Sequence, residues 1–295
     1  MTDAEKVDAA RLPAIVTTVA ELRRRVTEAR FAGLSIGCVP TMGALHAGHV
    51  SLVKASRKRC GFTVVTIFVN PTQFGPREDF GKYPRQLEKD LALLAPEGVD
   101  LVFAPPVGGV YPDGFATFVD VEGPATVGLE GPLRPGHFRG VATVVLKLFL
   151  MVQPDVAFFG QKDFQQTVVV RRMTRDLDVP VEIAVMPTLR DPDGLAMSSR
   201  NVYLSVDERA AALVISQALF RVEARVAEGE RAAETLLAAL RETLANRPEV
   251  AVQYAEIVDC ETLAPIERIE RPAVALIAAK VGATRLIDNL VLTPR

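Results

Sequence analysis

The chain has little of what marks a secreted, membrane-bound or nucleic-acid-binding protein. Cysteine occurs three times, as Cys38, Cys60 and Cys260. That is an odd number without C-x-x-C spacing, so neither a disulfide framework nor a zinc site is suggested. Cys38 lies in an apolar stretch and reads as a small core residue. No run reaches the roughly 18 apolar residues that a membrane span needs, and Met1 to Arg11 alternates charged and small residues without the apolar core of a secretion signal. Neither sign of charge dominates: 34 basic against 36 acidic residues give a net charge of −2, which offers no reason to expect nucleic acid or an anionic membrane as partner. Small-molecule chemistry in the cytoplasm is favoured. Two common nucleotide signatures are missing as well. No G-x-G-x-x-G follows the first long strand, and Gly81-Lys82 fails the P-loop pattern because Pro76 stands where its first Gly belongs and Tyr83 where Ser/Thr belongs. Any phosphates must be held another way.

What is present is an ordinary apolar fraction of 49% and a length of 295 residues, which exceeds one average domain and suggests a large domain plus a smaller one. Thr18 can cap a helix over Ala20 to Phe31 with Gly33 as its stop. Ser35 to Val39 reads as a short buried strand, Pro40 to Gly43 as its punctuation, and Val50 to Lys58 as the next helix. Thr63 to Val69 is continuously β-branched and apolar, as a parallel strand covered on both faces should be. Leu101 to Ala104, Val156 to Phe159 and Val181 to Met186 follow as strands. Between them lie a Gly/Pro-punctuated loop (Asn70 to Lys82), a helix near Arg85 to Ala95, a long irregular excursion (Tyr111 to Arg139) and helices over Val141 to Val152 and Phe164 to Leu177. Strands alternating with helices mean a doubly wound parallel sheet with right-handed crossovers. The register then changes. Two helices, Asp207 to Ala227 and Arg231 to Ala245, precede strands at Val250 to Val258, Ala273 to Lys280 and Thr284 to Leu292, the last two joined near Gly282 as in a hairpin. The domain boundary falls between Pro187 and Asn201, giving domains 1–188 and 189–295.

Two of the chain's three histidines sit in Val39-Pro40-Thr41-Met42-Gly43-Ala44-Leu45-His46-Ala47-Gly48-His49, at a strand-to-helix turn. Unpaired N–H groups and the positive end of the helix dipole make such a turn an anion site, and two imidazoles suit a nucleotide phosphate. Simple turn residues, or a metal pair, would show the same spacing. In an open α/β sheet the ligand lies beyond the carboxyl ends of the strands at the switch point. The motifs at His46, Gln73, Lys162 and Ser198 all follow expected strands, so the fold would bring them to one crevice.

T-M-G-A-L-H-A-G-H resembles the signature of the pantothenate synthetase family within the HIGH-motif nucleotidyl-transferase superfamily. Further matches follow in order: Phe68-Val69-Asn70-Pro71-Thr72-Gln73-Phe74, Tyr83-Pro84-Arg85, Phe159-Gly160-Gln161-Lys162-Asp163-Phe164-Gln165-Gln166, and Asp193-Gly194-Leu195-Ala196-Met197-Ser198-Ser199-Arg200-Asn201. The resemblance implies a Rossmann-like α/β fold, followed by a smaller α+β C-terminal domain with antiparallel strands that closes over the substrates. It also implies ATP-dependent condensation of (R)-pantoate with β-alanine to pantothenate, AMP and pyrophosphate through a pantoyl-adenylate. The catalytic set it implies is His46, His49, Lys162, Ser198, Ser199 and Arg200, with His49 the usual candidate proton donor. Fixed cationic donors suit the charge that builds on phosphate oxygens during adenylation. By the same resemblance ATP is bound by residues 42–49 (Met42, Gly43, Ala44, Leu45, His46, Ala47, Gly48, His49), by Gly160, Gln161, Lys162 and Asp163, and by Leu189, Met197, Ser198, Ser199 and Arg200. Pantoate is bound by Gln73 and Gln166 against an apolar wall of Pro40 and Met42. On spacing alone Gln73 and Gln166 would pass as surface amides, Lys162 as a solvated lysine, and Ser198-Ser199-Arg200 as a common loop tripeptide.

One departure stands out: the family commonly has adjacent acidic residues where this chain reads Glu88-Lys89-Asp90. No protein metal ligand is therefore assigned, and Mg²⁺ is expected on the ATP phosphates. His137 reads as structural or as a support to the site. The family's dimeric habit and the apolar strands of the second domain suggest a homodimer. A nucleotidyltransferase that keeps its nucleotide product would satisfy the histidine motif but has no use for Gln73 and Gln166. A tRNA-charging enzyme or nucleotide-binding regulator would want a basic surface or an extra domain.

Overall fold

The computed structural model describes residues 12–75, 78 and 80–294. The readings of Met1–Arg11, and of Pro76, Arg77 and Asp79 in the loop after Asn70, lie outside them. The chain opens with β1 (Ala14–Val16), α1 (Val19–Phe31), β2 (Ile36–Thr41), α2 (Ala47–Arg59) and β3 (Phe62–Ile67), then α3 (Leu87–Leu94), β4 (Leu101–Phe103) and α4 (Val107–Val110). Two one-turn helices, α5 (Pro124–Val127) and α6 (Glu130–Leu133), interrupt the excursion before α7 (His137–Val152), β5 (Val156–Gly160), α8 (Phe164–Asp176) and β6 (Glu182–Met186). The remainder is α9 (Val206–Ala227), α10 (Ala233–Ala245), β7 (Val250–Asp259), β8 (Ala273–Val281) and β9 (Thr284–Leu292).

The first six strands form one sheet in the order β1-β4-β3-β2-β5-β6, with every pairing parallel. The central strands are buried on both faces, which is why they read as unbroken apolar runs rather than alternating ones. From β2 the chain steps outward through β3 and β4, then returns to place β5 on the other flank of β2. The switch point therefore lies between the carboxyl ends of β2 and β5, ahead of Met42 and Gln161.

The second sheet, β7-β8-β9, is antiparallel, with Gly282 at φ +56 in the β8–β9 turn. A Cβ there would lie 1.8 Å from a Glu208 carboxylate oxygen, so both backbone and space call for glycine. Strand β8 is apolar almost throughout because its alternate residues serve two cores. Val274 and Leu276 join the core of the large sheet, while Ala275, Ile277 and Ala279 pack with Leu219, Leu236 and Leu240 of α9 and α10. The apolar run of β8 is thus buried within the chain.

Several local readings shift: Pro40 and Thr41, read as punctuation, belong to β2, and three other shifts have a clear cause. Strand β1 went unread because three residues carry no periodicity; its edge position comes from pairing with β4. Helix α2 begins at Ala47 rather than Val50, because His46 serves as its N-cap, a role usually held by Ser, Thr, Asp or Asn. Helix α7 starts at His137, not Val141, after Gly136 at φ +80. No helix among the described residues is long and apolar enough to cross a membrane.

Candidate active site

The segment after β2 is built around two histidine rings whose centroids are 4.2 Å apart. His46 Nδ1 accepts from the Gly48 N–H at 3.1 Å, and His49 Nδ1 accepts from the His46 N–H at 3.3 Å, a reciprocal cap on the first turn of α2. A ring nitrogen that accepts carries no proton, so each neutral imidazole bears its hydrogen on Nε2. Burial, and then the neighbouring His46, lower His49 to about 3. Burial and the Lys162 ammonium lower His46. Both rings are thus neutral N–H donors at physiological pH.

The loop leading to them is tied down by Asp90. Its carboxylate accepts from the Ala44 N–H at 3.1 Å and the Leu45 N–H at 2.8 Å, and is 1% exposed. These bonds hold Gly43 and Ala44 at φ +79 and +51, a conformation that Ala adopts only at a cost. Asp90 is thereby engaged in loop structure, and the departing Lys89 lies exposed on α3.

Across the switch point, β5 delivers Gly160 and the turn Gln161–Asp163 into α8. Lys162 Nζ lies 3.6 Å from Asp163 Oδ1. Desolvation pushes the Asp163 carboxyl up, but Lys162 and Arg200 outweigh it and hold the group below its ordinary value. On a third side, Ser198 caps the turn Ser199–Tyr203 by accepting from the Arg200 N–H at 3.2 Å. The base of that loop is pinned by Arg209, which meets Asp191 at 2.8 Å and Asp193 at 2.7 Å.

Gln73 follows β3 in a single turn of 3₁₀ helix. Its Oε1 accepts from Asn70 Nδ2 at 3.0 Å and its Nε2 lies 3.1 Å from Met42 Sδ, so the amide presents N–H hydrogens toward the apolar wall. His137 supports the same turn from behind. Its Nδ1 donates to the Gln73 carbonyl at 2.8 Å while Nε2 accepts from Arg134 at 3.0 Å, and Arg134 is paired with Glu78. Burial, then the Arg134 guanidinium, lower His137 to about 4. At the start of α8 the adjacent glutamines diverge. Gln165 is spent on Glu130 N–H and on the carbonyls of Ala125 and Gly128, whereas Gln166 lines the cavity.

One cavity gathers most of the residues named from the sequence. Pro40, Met42, His46, Gly48, His49, Gln73, Gly160, Lys162, Asp163, Gln166, Leu189, Met197, Ser198, Ser199 and Arg200 all line it. Gly43, Ala44, Leu45, Ala47 and Gln161 do not. The first three are buried beneath the histidine turn, Ala47 faces solvent, and the Gln161 amide turns to Asn289. Asn70, Glu130, His137, Tyr254, Asp288 and Asn289 line the cavity without having been singled out as binding residues. Asn70 stood inside a quoted motif and was readable there. The residues from β7 and β9 carried no signal, since only the fold brings them across more than 120 positions to this wall. Among the described residues no group of three or more His, Cys, Asp or Glu side chains could hold a metal ion.

Residues 14–291 match the family model described as pantoate-beta-alanine ligase. A pantothenate synthetase from Roseiflexus sp. (strain RS-1) is 55% identical over 278 residues, spanning 94% of this chain and 99% of that protein. Pantothenate synthetase 1 of Bradyrhizobium diazoefficiens is 55% identical over 280 residues, spanning 95% and 98%. Among solved structures, pantothenate synthetase from Thermus thermophilus superposes with a TM-score of 0.89 at 50% identity, covering 95% of this chain and all of that one. The ligase from Francisella tularensis, complexed with beta-gamma ATP and beta-alanine, gives 0.76 at 32% identity, covering 95% and 97%.

Proposed function

The chain belongs to the pantoate-beta-alanine ligase family, and from that premise we propose how its crevice divides the work of joining pantoate to β-alanine. The enzyme condenses the two at the expense of ATP, through the family's adenylate intermediate. The pantoate carboxylate attacks the α-phosphorus, the bond to the β-phosphate breaks, and pyrophosphate leaves. The β-alanine amine then attacks the acyl carbon, an amide forms as the bond to AMP breaks, and the amine loses a proton. Activation is required because a free carboxylate is a poor acyl donor: it has no leaving group for the amine to displace.

Phosphate binding falls to His46, His49 and Lys162 from the two strands flanking the switch point, with Ser198, Ser199 and Arg200 closing on the β- and γ-phosphates. Developing charge on the phosphate oxygens is met by N–H donors already in place. We assign His49 the role of neutral N–H donor rather than acid, because its Nδ1 accepts from backbone and its ring loses a proton well below neutrality. Gln73 and Gln166 hold pantoate through its hydroxyls and carboxylate, against Pro40 and Met42. The carboxylates lining the cavity are paired within the chain, Glu130 with Arg285, Asp163 with Lys162 and Asp288 with Arg190. Mg²⁺ is therefore taken to arrive on the ATP phosphates, where it supplies charge neutralisation to the departing pyrophosphate. Residues 189–295 act as the closing domain and exclude water from the activated acyl group, which otherwise hydrolyses. That closure admits β-alanine only after the adenylate has formed. A cytoplasmic homodimer remains our reading, resting on the family's habit; a monomer mass by light scattering at micromolar protein would refute the dimer.

The observation that carries the assignment is the convergence of the histidine turn, the Lys162 turn and Gln73 on one cavity. Exchange of labelled pyrophosphate into ATP tests it. Exchange should require pantoate and proceed without β-alanine. Exchange that needs β-alanine, or that ignores pantoate, would overturn the order.

A further inference from the structure

The turn that carries Lys162 is gripped by a side chain of the small sheet. Asn289 on β9 is 2% exposed, and its Nδ2 donates to the carbonyls of Gln161 at 3.0 Å and Lys162 at 2.8 Å. Its Oδ1 faces the Gln161 amide at 3.4 Å. A primary amide has two hydrogens, and here both are committed to one turn. The preceding residue, Asp288, forms a bidentate pair with Arg190 at 2.6 and 2.9 Å. Arg190 lies at the base of the loop ending in Ser198–Arg200 and also donates to the Gly194 carbonyl at 3.1 Å. One dipeptide of β9 thus grips the Lys162 turn with one side chain and the serine–arginine loop with the other.

We propose that Asp288-Asn289 is the strut that sets Lys162 against Ser198–Arg200, with Asn289 a positioning residue that acts through Lys162. The inference rests on the phosphate role given to Lys162 above. Adenylation needs the phosphate-gripping groups held to a fraction of an ångström, and a displacement of about 1 Å costs roughly 10²-fold in rate. Attack of the amine on an adenylate already formed leaves no pyrophosphate to grip, so that step should not need the strut.

Asn289→Asp keeps the side chain's shape but sets a carboxylate against two carbonyl oxygens; Asn289→Ala removes both donors. The measurement is the ratio of two rates in the full-length enzyme: pantoate-dependent pyrophosphate exchange, and reaction of β-alanine with supplied pantoyl-adenylate. Partial unfolding lowers both rates alike and cancels in the ratio. The account expects the ratio to fall by at least tenfold in both variants; an unchanged ratio overturns it. If neither variant folds, Asp288→Asn tests the other grip, since it weakens the hold on Arg190 while leaving Asn289 in place, with the same two outcomes. Lys162→Ala is the control for the underlying reading. If it spares exchange, the phosphate role of Lys162 fails; if it abolishes exchange while Asn289→Asp leaves the ratio unchanged, only the strut fails.

Discussion

Removing the Asp90 carboxylate should damage both the stability of the large domain and its grip on nucleotide. Asp90 accepts from two buried backbone N–H groups, at 3.1 and 2.8 Å, and is itself only 1% exposed. A hydrogen bond to a charged group is worth about 1.5–3 kcal/mol, and a buried donor left unsatisfied bears its full desolvation cost, so Asp90→Ala should lose roughly 3–6 kcal/mol. For a chain of this size that corresponds to a drop of roughly 5–10 °C in melting temperature. Asp90→Asn should lose about half as much, since one oxygen still accepts while the amide NH₂ confronts the second N–H. The effect should reach function, because Gly43 and Ala44 lead directly into the His46–His49 cap. Without Asp90 the strain at Ala44 relaxes, the histidines shift, and KM for ATP rises more than KM for pantoate. Thermal unfolding by circular dichroism, paired with initial rates, checks both parts. A variant melting within about 2 °C of the parent, with unaltered KM for ATP, would refute the reasoning.

Three further outcomes follow from the same contacts. His49→Ala should lower adenylate formation by roughly 10²-fold, the scale of losing one transition-state donor, and near-normal turnover in a folded variant would remove the histidine from the phosphate site. His137 lies at about 4 in the folded chain against 6.5 as a free side chain, so the unfolded chain takes up a proton that the folded one refuses. The contribution of His137 is then full above pH 6.5 and should fall by roughly 3 kcal/mol toward pH 4, read by denaturant titration as a shallower slope in His137→Asn than in the parent, with failure if the two slopes coincide. Gly140→Ala would bring a Cβ within 2.3 Å of the Thr72 carbonyl oxygen and 2.7 Å of Gln73 Cα. It should cost about 1–3 kcal/mol and raise KM for pantoate more than for ATP; an unaltered KM for pantoate would separate this helix from the Gln73 turn.

What could be read from the chain were groups whose chemistry and spacing lie within one short segment. The His46–His49 turn, the Gly160–Asp163 turn and the Ser198–Arg200 loop each follow a strand, so strand periodicity alone points them to one end of the sheet. The supports behind them could not be read. Asp90 reaches the histidine loop across 45 residues, Asn289 reaches Lys162 across 127, and Arg285 reaches Glu130 across 155. Such pairs leave no periodic trace, because each partner in isolation is an ordinary polar residue. The start of α2 was misplaced for a related reason: a histidine capping through Nδ1 does what a Ser or Asp usually does, and residue type alone does not reveal it. Strand β8 is apolar almost throughout for a reason that periodicity does not reveal: its alternate side chains are divided between two cores of the same chain.

The most direct test of the proposed crevice is a crystal structure of the enzyme with a non-hydrolysable ATP analogue and pantoate bound together. The account predicts the triphosphate between His46, His49 and Lys162, capped by Ser198–Arg200, with the pantoate carboxylate facing the α-phosphorus and its hydroxyls on Gln73 and Gln166. A triphosphate lying away from both the histidine turn and Lys162, or pantoate seated outside the reach of Gln73, would contradict it.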